Sequence, residues 1–208
     1  MVTESGDGLK LKPKGLVLAS ASPRRAELLA RLGFPFEVVA TGVEEISEHL
    51  DGPSGLVREN ALLKALHVAE AKPDQLVLGS DTTVCLDGTI LGKPANLAEA
   101  KACLRRLSGQ RHEVFTGVAL CWRDGGLRHV FVESSTVVFR TLSEDVIERY
   151  VQLVNPLDKA GAYGIQAHRE LIIAEVDGSV ENVMGLPLQT LETWFDTQVK
   201  LGFKKEAE

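Results

Sequence analysis

Several familiar features are missing from this 208-residue chain. No apolar run reaches the roughly 18 residues that a membrane-spanning helix needs, so no membrane segment is expected. The stretch Met1 to Lys14 is polar and lacks the apolar h-region of a secretory signal, and it reads as a disordered leader. Lysine and arginine total 23 against 29 acidic residues, a net charge of −6. A nucleic-acid polymer is held by a broad basic surface, so that class of partner is not expected. Cysteine is scarce: Cys85, Cys103 and Cys121 stand 18 residues apart with no CxxC pair. That spacing implies neither a disulfide framework nor a zinc site, and buried thiols of a reducing compartment, the cytoplasm, are the plain expectation. The GxxxxGK[ST] spacing is absent, which removes P-loop kinases and GTPases. Internal repeats and low-complexity tracts are absent too.

What is present is an ordinary globular composition, 44% hydrophobic and 25% charged, arranged as alternating strand and helix signals. Gly15 to Ala19 is a short apolar run of buried-strand type. Ser22-Pro23 then opens a helix with Ser22 as N-cap, and Gly33 closes it. Phe36 to Ala40 reads as a second strand. A polar loop from Thr41 to Gly55 leads to a helix over Leu56 to Ala71. Leu76 to Leu78 is a strand expected to end in Gly79-Ser80-Asp81-Thr82. Val84 to Ile90 reads as a hairpin around Asp87-Gly88, and Asn96 caps a helix that runs to Leu107. Two long strands, Glu113 to Trp122 and Leu127 to Phe139, flank Arg123-Asp124-Gly125-Gly126. Ser143 caps a helix to about Leu153, Leu171 to Val176 reads as a strand, and Leu188 to Leu201 as the last helix. Strands that both alternate with helices and pair as hairpins imply a mixed sheet in an α/β domain. One domain over residues 15–201 is expected, with a charged tail over 202–208. Gly/Pro-marked loops near 92–95 and 155–164 are its candidate lobe boundaries, with a cleft between the lobes.

Four clusters carry chemistry. Ser20-Ala21-Ser22-Pro23-Arg24-Arg25 joins a strand to a helix N-terminus, where free N–H groups favour phosphate. The hydroxyls of Ser20 and Ser22 and the forked guanidiniums of Arg24 and Arg25 add donors. An ordinary Ser-Pro cap with two solvated arginines explains the same letters. Asp81, with Thr82 beside it, suits metal binding or deprotonation of water, or a plain turn. Leu91-Gly92-Lys93-Pro94 holds Lys93 extended, because the ring of Pro94 restricts the residue before it. A surface turn accounts for it equally. In Asn155 to Gln166, small residues admit close backbone approach, and the Gln166 amide offers the donor and acceptor that a pyrimidine edge demands. Glu44-Glu45 and Lys64 are isolated candidates.

These segments, LASASPRR (18–25), VEE (43–45), LLKA (62–65), LGSDTTV (78–84), LGKP (91–94), LSGQRHEVFTGV (107–118), DKAGAYGIQ (158–166) and NVMGLPL (182–188), occur in one order over about residues 15–195. Together they resemble the Maf family of nucleotide pyrophosphatases. The resemblance implies an elongated, two-lobed mixed-sheet fold shared with inosine-triphosphate pyrophosphatases, with a central cleft. It also implies hydrolysis of a nucleoside triphosphate to the monophosphate and pyrophosphate with a divalent cation, Mg²⁺ or Mn²⁺. DKAGAYGIQ looks like the branch that acts on dTTP and UTP. Asp81 corresponds to the family's proton acceptor, and Arg24, Thr82 and Gln166 to its substrate-selecting positions. Two departures stand out: Ala167 replaces the glycine that often follows the glutamine, and His168-Arg169-Glu170 replaces a small, glycine-rich stretch.

The mechanism expected on this basis spreads the triphosphate's charge over Arg24, Arg25, Lys64 and Lys93. A metal ion at Asp81 and Glu45 bridges phosphate oxygens, and Asp81, as base or as metal ligand, serves attack on the α phosphorus. Two other readings stay open: a non-catalytic nucleotide-binding regulator of cell division, and a pyrophosphatase of the same fold for modified purine nucleotides. Related proteins suggest a homodimer.

Overall fold

The computed structural model describes residues 12–198 and 201–203. The expected leader and tail therefore lie largely outside the described residues. Lys14, counted with the leader, is held: its N–H donates to the Asp74 carbonyl and its ammonium pairs with the Asp74 carboxylate, each at 2.8 Å.

The elements run β1 (Leu16–Ala19), α1 (Pro23–Ala30), β2 (Phe36–Val38), α2 (Gly52–Ala71), β3 (Leu76–Leu86), β4 (Thr89–Leu91), α3 (Leu97–Leu107), β5 (Arg111–Trp122), β6 (Leu127–Phe139), α4 (Glu144–Leu153), α5 (Arg169–Ile172), β7 (Ile173–Asp177), α6 (Val180–Met184) and α7 (Leu188–Thr197). They build one mixed seven-stranded sheet in the order β2-β1-β3-β5-β6-β7, with β4 also paired to β3. β1 runs parallel to β2 and β3, whereas β3, β5, β6 and β7 pair antiparallel in succession. The all-apolar β1 is buried on both faces, as the centre of a covered sheet requires.

Two expectations are corrected. The strand that begins at Leu76 does not stop at Gly79: β3 runs on for 11 residues and carries Asp81 in its middle. Gly, Ser and Asp are turn formers locally, but here the cross-strand ladder to β5 overrides that preference, with Asp81 opposite Gly117 and Thr82 opposite Thr116. The strand expected from Leu171 starts instead at Ile173, because Arg169–Ile172 coils into one helical turn after His168, which sits at φ 54°.

Two layers cover the sheet. Among the described residues α2 covers one face, and three alanines bring it close: Ala61, Ala65 and Ala69, with Leu62 and Val68, pack with Val17, Ala19, Val77 and Ala119. Glycine is required beneath it. A Cβ on Gly79 would sit 2.2 Å from the Ala61 carbonyl oxygen, and one on Gly117 2.3 Å from that of Val57. On the other face α1, α3, α4, α6 and α7 pack Leu28, Leu29, Leu104, Leu107, Ile147, Tyr150, Leu191 and Phe195 into the larger core. Among the described residues no helix is long and apolar enough to cross a membrane.

A fork in the sheet positions the site. β1 accompanies β3 only as far as Gly79, and β4 joins the same strand only from Val84. Between them, residues 80–83 have a strand partner on the β5 side alone. Strand side chains alternate between faces, so this segment serves two walls. Asp81 turns to α2, and Ser80 and Thr82 turn to α1 and α6.

Candidate active site

A cleft of about 680 Å³ opens at the fork. Ten of the residues singled out from sequence, Ser20, Ser22, Arg24, Arg25, Glu45, Lys64, Asp81, Thr82, Lys93 and Gln166, line it, although they come from elements up to 146 residues apart, whereas Glu44 does not. Five cations and three carboxylates border the cleft, a local charge of +2 inside a chain of net charge −6. Such a surface attracts a compact anion.

The α2 wall centres on an ion triad in which Lys64 and Asp81 are buried and Glu45 is exposed. The Lys64 ammonium lies 2.8 Å from Asp81 Oδ1 and 2.9 Å from Glu45 Oε2. The close seat of α2 over Gly79 is what brings the helix's lysine down to the strand. The other carboxylate oxygen, Asp81 Oδ2, accepts a hydrogen bond from Asn60 Nδ2 at 3.3 Å. Burial pushes the Asp81 carboxyl up, but the charges of Lys64 and Arg25 and the hydrogen bonds from Lys64 and Asn60 outweigh it. The group is held below the usual carboxylate range and is ionised at neutral pH.

The opposite wall is a relay of hydrogen bonds. Arg25 donates through Nε to the Gly185 carbonyl at 3.0 Å, and its two terminal nitrogens donate to Ser20 Oγ at 3.3 Å and Thr82 Oγ1 at 3.0 Å. Thr116 gives its only proton to the Asn182 carbonyl at 2.8 Å. The 3.0 Å contact between the threonine hydroxyls is therefore a donation from Thr82 to Thr116. Ser80 Oγ also donates to the Gly185 carbonyl, at 2.9 Å. A guanidinium has five N–H groups; three are engaged here, which leaves two for a ligand. Burial pulls the Arg25 pKa down while Asp81 and Glu45 pull it back up, and a guanidinium stays charged throughout.

At the head of α1, Ser22 occupies the N-cap position, but its side chain makes no capping bond. Ser20 Oγ instead accepts from the Ser22 N–H at 3.2 Å. The Ser22 hydroxyl and the first-turn amides thus remain uncommitted beside the cleft, a combination suited to phosphate.

The third side is the 155–166 loop, fixed from beneath. Tyr150 clamps Gly164, donating to its carbonyl at 3.3 Å and accepting from its N–H at 3.1 Å. His112 Nε2 meets the Tyr163 hydroxyl at 2.8 Å in a buried aromatic nest with Phe139. Burial lowers the His112 pKa to about 4 and raises that of Tyr150 to about 12. The Gly161 N–H reaches the Gly92 carbonyl at 3.2 Å, tying this loop to the turn that carries Lys93. Gly161 has φ 70° and lies against Val84, so a side chain there would be both strained and crowded. Asp158 spans the mouth to Arg24 at 3.0 Å and also binds Lys159. Lys93 and Gln166 are exposed and make no hydrogen bond or ion pair with the described residues.

Sequence reasoning missed Asn60 altogether, and it quoted the segments of Thr116, Asp158, Asn182 and Gly185 without giving these residues a role. Asn60 and Thr116 each stand as a polar residue in a largely apolar stretch, which says that a polar group is buried but not against what.

For a divalent cation, no group of three or more His, Cys, Asp or Glu side chains gathers among the described residues. Glu45 and Asp81 nevertheless converge on one point, that of the Lys64 ammonium. Magnesium is commonly held by one or two carboxylates together with substrate phosphates, so this donor set fits an ion that arrives with a nucleotide.

Comparison with known proteins gives the relatives. A family model described as "Maf-like protein" matches residues 15–198. The chain is 50% identical over 173 residues to a dTTP/UTP pyrophosphatase of Symbiobacterium thermophilum, covering 83% of this chain and 88% of that protein. It is 46% identical over 178 residues to one of Bacillus cereus, covering 86% and 87%. Among solved structures, the Ham1 protein of Staphylococcus aureus superposes with a TM-score of 0.54 at 18% identity, covering 89% of this chain and all of that one. At that identity the likeness speaks for the fold alone, the mixed-sheet α/β architecture described above. With a family model matched along almost its whole described length and relatives at half identity, this chain belongs to the Maf family.

Proposed function

We propose that the protein hydrolyses nucleoside triphosphates to monophosphate and pyrophosphate, with dTTP and UTP as substrates, as its Maf relatives are named for. The observation that carries this reading is the facing of an ionised Asp81, held by Lys64 and Asn60, across one cleft from the Arg25–Thr82 relay. A pure nucleotide binder needs the cations but has no use for a buried carboxylate among the phosphates. This favours an enzyme over the regulator.

In this mechanism the triphosphate enters with its phosphates against the head of α1. Arg24 exchanges Asp158 for phosphate, Arg25 presents its two spare N–H groups, and Lys93 adds a free ammonium. Phosphoryl transfer asks chiefly for such positioning and charge neutralisation. Lys64, already shared by two carboxylates, turns one donor toward the α phosphate. With Asp81 as base, the ionised carboxylate accepts the proton of the attacking water; with Asp81 as ligand, it would help hold the cation instead. A divalent cation held by Glu45 and Asp81, when bound, would neutralise phosphate charge and acidify water. The pyrophosphate leaves with its charge spread over Arg24, Arg25 and Lys93. Gln166, on the third side, and Thr82, on the opposite wall with an acceptor lone pair left, read the pyrimidine edge, and the loop that Tyr150 and His112 fix from beneath keeps Gln166 in place. Cys85, Cys103 and Cys121 are free thiols, in keeping with a cytoplasmic setting. A homodimer, which related proteins suggest, would show as a doubled mass in light scattering.

The test is pyrophosphate release from a panel of nucleoside triphosphates, with Mg²⁺ or Mn²⁺, by the wild type and by Asp81→Asn. Release from UTP and dTTP that falls about 10³-fold in the variant supports the reading. Nucleotide binding without release across the panel would replace the enzyme with the regulator, and preference for inosine or 7-methyl-guanosine triphosphate would move the substrate class to modified purines.

A further inference from the structure

We propose that Asn60 is a positioning residue that sets the distance between the two site carboxylates, and so governs the affinity of the divalent cation that the reading above assigns to them. Asparagine is a poor helix former, yet this one sits in the middle of α2, 3% exposed. Its amide is not spent on its own helix. Oδ1 accepts the Ile46 N–H at 2.9 Å, and Nδ2 donates to the Ile46 carbonyl at 3.0 Å and to Asp81 Oδ2 at 3.3 Å.

Those three contacts fix the orientation of the amide. Rotated by half a turn, it would press Oδ1 against the Ile46 carbonyl and the Asp81 carboxylate, and its NH₂ against the Ile46 N–H. In the observed orientation one side chain pairs with both backbone groups of Ile46, as a neighbouring strand would, and with the strand residue Asp81.

Ile46 is the residue after Glu45, on a loop that belongs to no helix or strand between β2 and α2. The Glu45 carboxylate is held by its ion pair with Lys64. Asn60 is therefore the fixed point through which that loop is referred to β3. It holds Ile46, Ile46 aims Glu45, and Glu45 meets Lys64 where Asp81 also meets it. Without Asn60 the segment at Glu45 keeps its pair with Lys64 through a half-exposed carboxylate, and surface pairs of that kind hold a loop weakly.

Three variants test this, Asn60→Ala, Ile46→Pro and Glu45→Gln. Ile46→Pro removes the same N–H from the loop side, so the helix core stays untouched if Asn60→Ala fails to fold. Calorimetric titration with Mn²⁺ in the presence of α,β-methylene-UTP reads cation affinity without turnover. Cleavage by a glutamate-specific protease reads how open the segment around Glu44, Glu45 and Glu48 is. Asn60→Ala and Ile46→Pro should each weaken Mn²⁺ about tenfold, speed cleavage about tenfold, and lower kcat with the UTP-to-CTP preference unchanged. Mn²⁺ affinity and cleavage within twofold of wild type in a folded Asn60→Ala or Ile46→Pro protein would overturn the proposal. Glu45→Gln separates the two levels: if it too leaves Mn²⁺ affinity unchanged, the assignment of the cation to Glu45 fails. If Glu45→Gln weakens Mn²⁺ and the other two do not, the role of Asn60 alone fails.

Discussion

Replacing Gly79 by alanine tests whether the close seat of α2 is what assembles the ion triad. The new Cβ would lie 2.2 Å from the Ala61 carbonyl oxygen and 2.7 Å from the Ala65 nitrogen, both backbone atoms that no rotamer change can move. Ordinary contact begins near 3.4 Å, so the helix must retreat by about 1.2 Å. Moved as a rigid body, α2 would carry Lys64 and Asn60 with it. Their contacts with Asp81, now 2.8 and 3.3 Å, would stretch to roughly 4.0 and 4.5 Å, beyond hydrogen-bonding reach. Overpacking of this kind costs about 1–3 kcal/mol, and at this chain length each kcal/mol lowers Tm by about 2–4 °C. A misplacement near 1 Å of catalytic groups costs about 10²-fold in rate. The assay pairs a thermal melt with kcat/KM for UTP. Gly42→Ala is the control for stability, because no atom lies within 4 Å of its Cβ, and a shift within about 0.5 kcal/mol is expected. A Gly79→Ala enzyme with wild-type Tm and turnover would show that the helix does not set the triad.

Four further outcomes follow from the same geometry. Arg25→Lys loses the fork that grips Gly185, Ser20 and Thr82 at once; kcat/KM for UTP should fall about 10²-fold or more, and activity within threefold of wild type would contradict the relay. Gln166→Ala should cost about 1–3 kcal/mol of base discrimination, so an unchanged ratio of UTP to CTP hydrolysis would exclude Gln166 as the reader of the base. His112 binds its proton near pH 4 in the folded chain against 6.5 in the unfolded one. Above pH 6.5 neither state holds the proton and stability is unaffected; between 6.5 and 4 only the unfolded chain takes it up, so stability falls by up to about 1.4 kcal/mol per pH unit. Urea unfolding of the wild type and of His112→Gln should show that slope in the former alone. The Asp81 pKa is depressed in the folded state, so its contribution to stability is complete above the ordinary carboxylate range and is lost as pH falls through its lower folded value; an Asp81→Asn protein should show a flatter loss of stability in acid.

Much of the fold is written in short stretches of chain. Leu16–Ala19 is apolar throughout because both of its faces are covered, and Asp87-Gly88, at φ 48° and 76°, turns the β3–β4 hairpin as the dipeptide implies. Asn96 and Ser143 cap their helices through contacts three residues away, a distance sequence patterns can register. Local reasoning failed where a longer-range term prevailed. GSDTT was expected to end a strand, and the β5 ladder carries it onward. Ser22 was expected to cap α1, yet its hydroxyl stays uncommitted while Ser20 turns inward to Arg25.

The residue types of the site, basic, acidic and amide, were legible with their order along the chain, because chemistry resides in side-chain identity. What each one touches was not. That Asp81 and Thr82, adjacent in sequence, serve opposite walls follows from strand alternation, and alternation matters only once the strand is known to continue. That Lys64 meets both Glu45 and Asp81 follows from a helix seated on Gly79 and Gly117, two contacts made across 18 and 60 residues of chain. Composition and local pattern thus determined the elements and the candidate chemistry; the pairing of strands and the approach of α2 decided which charges meet, because those distances are set by packing between segments that the chain itself does not place side by side.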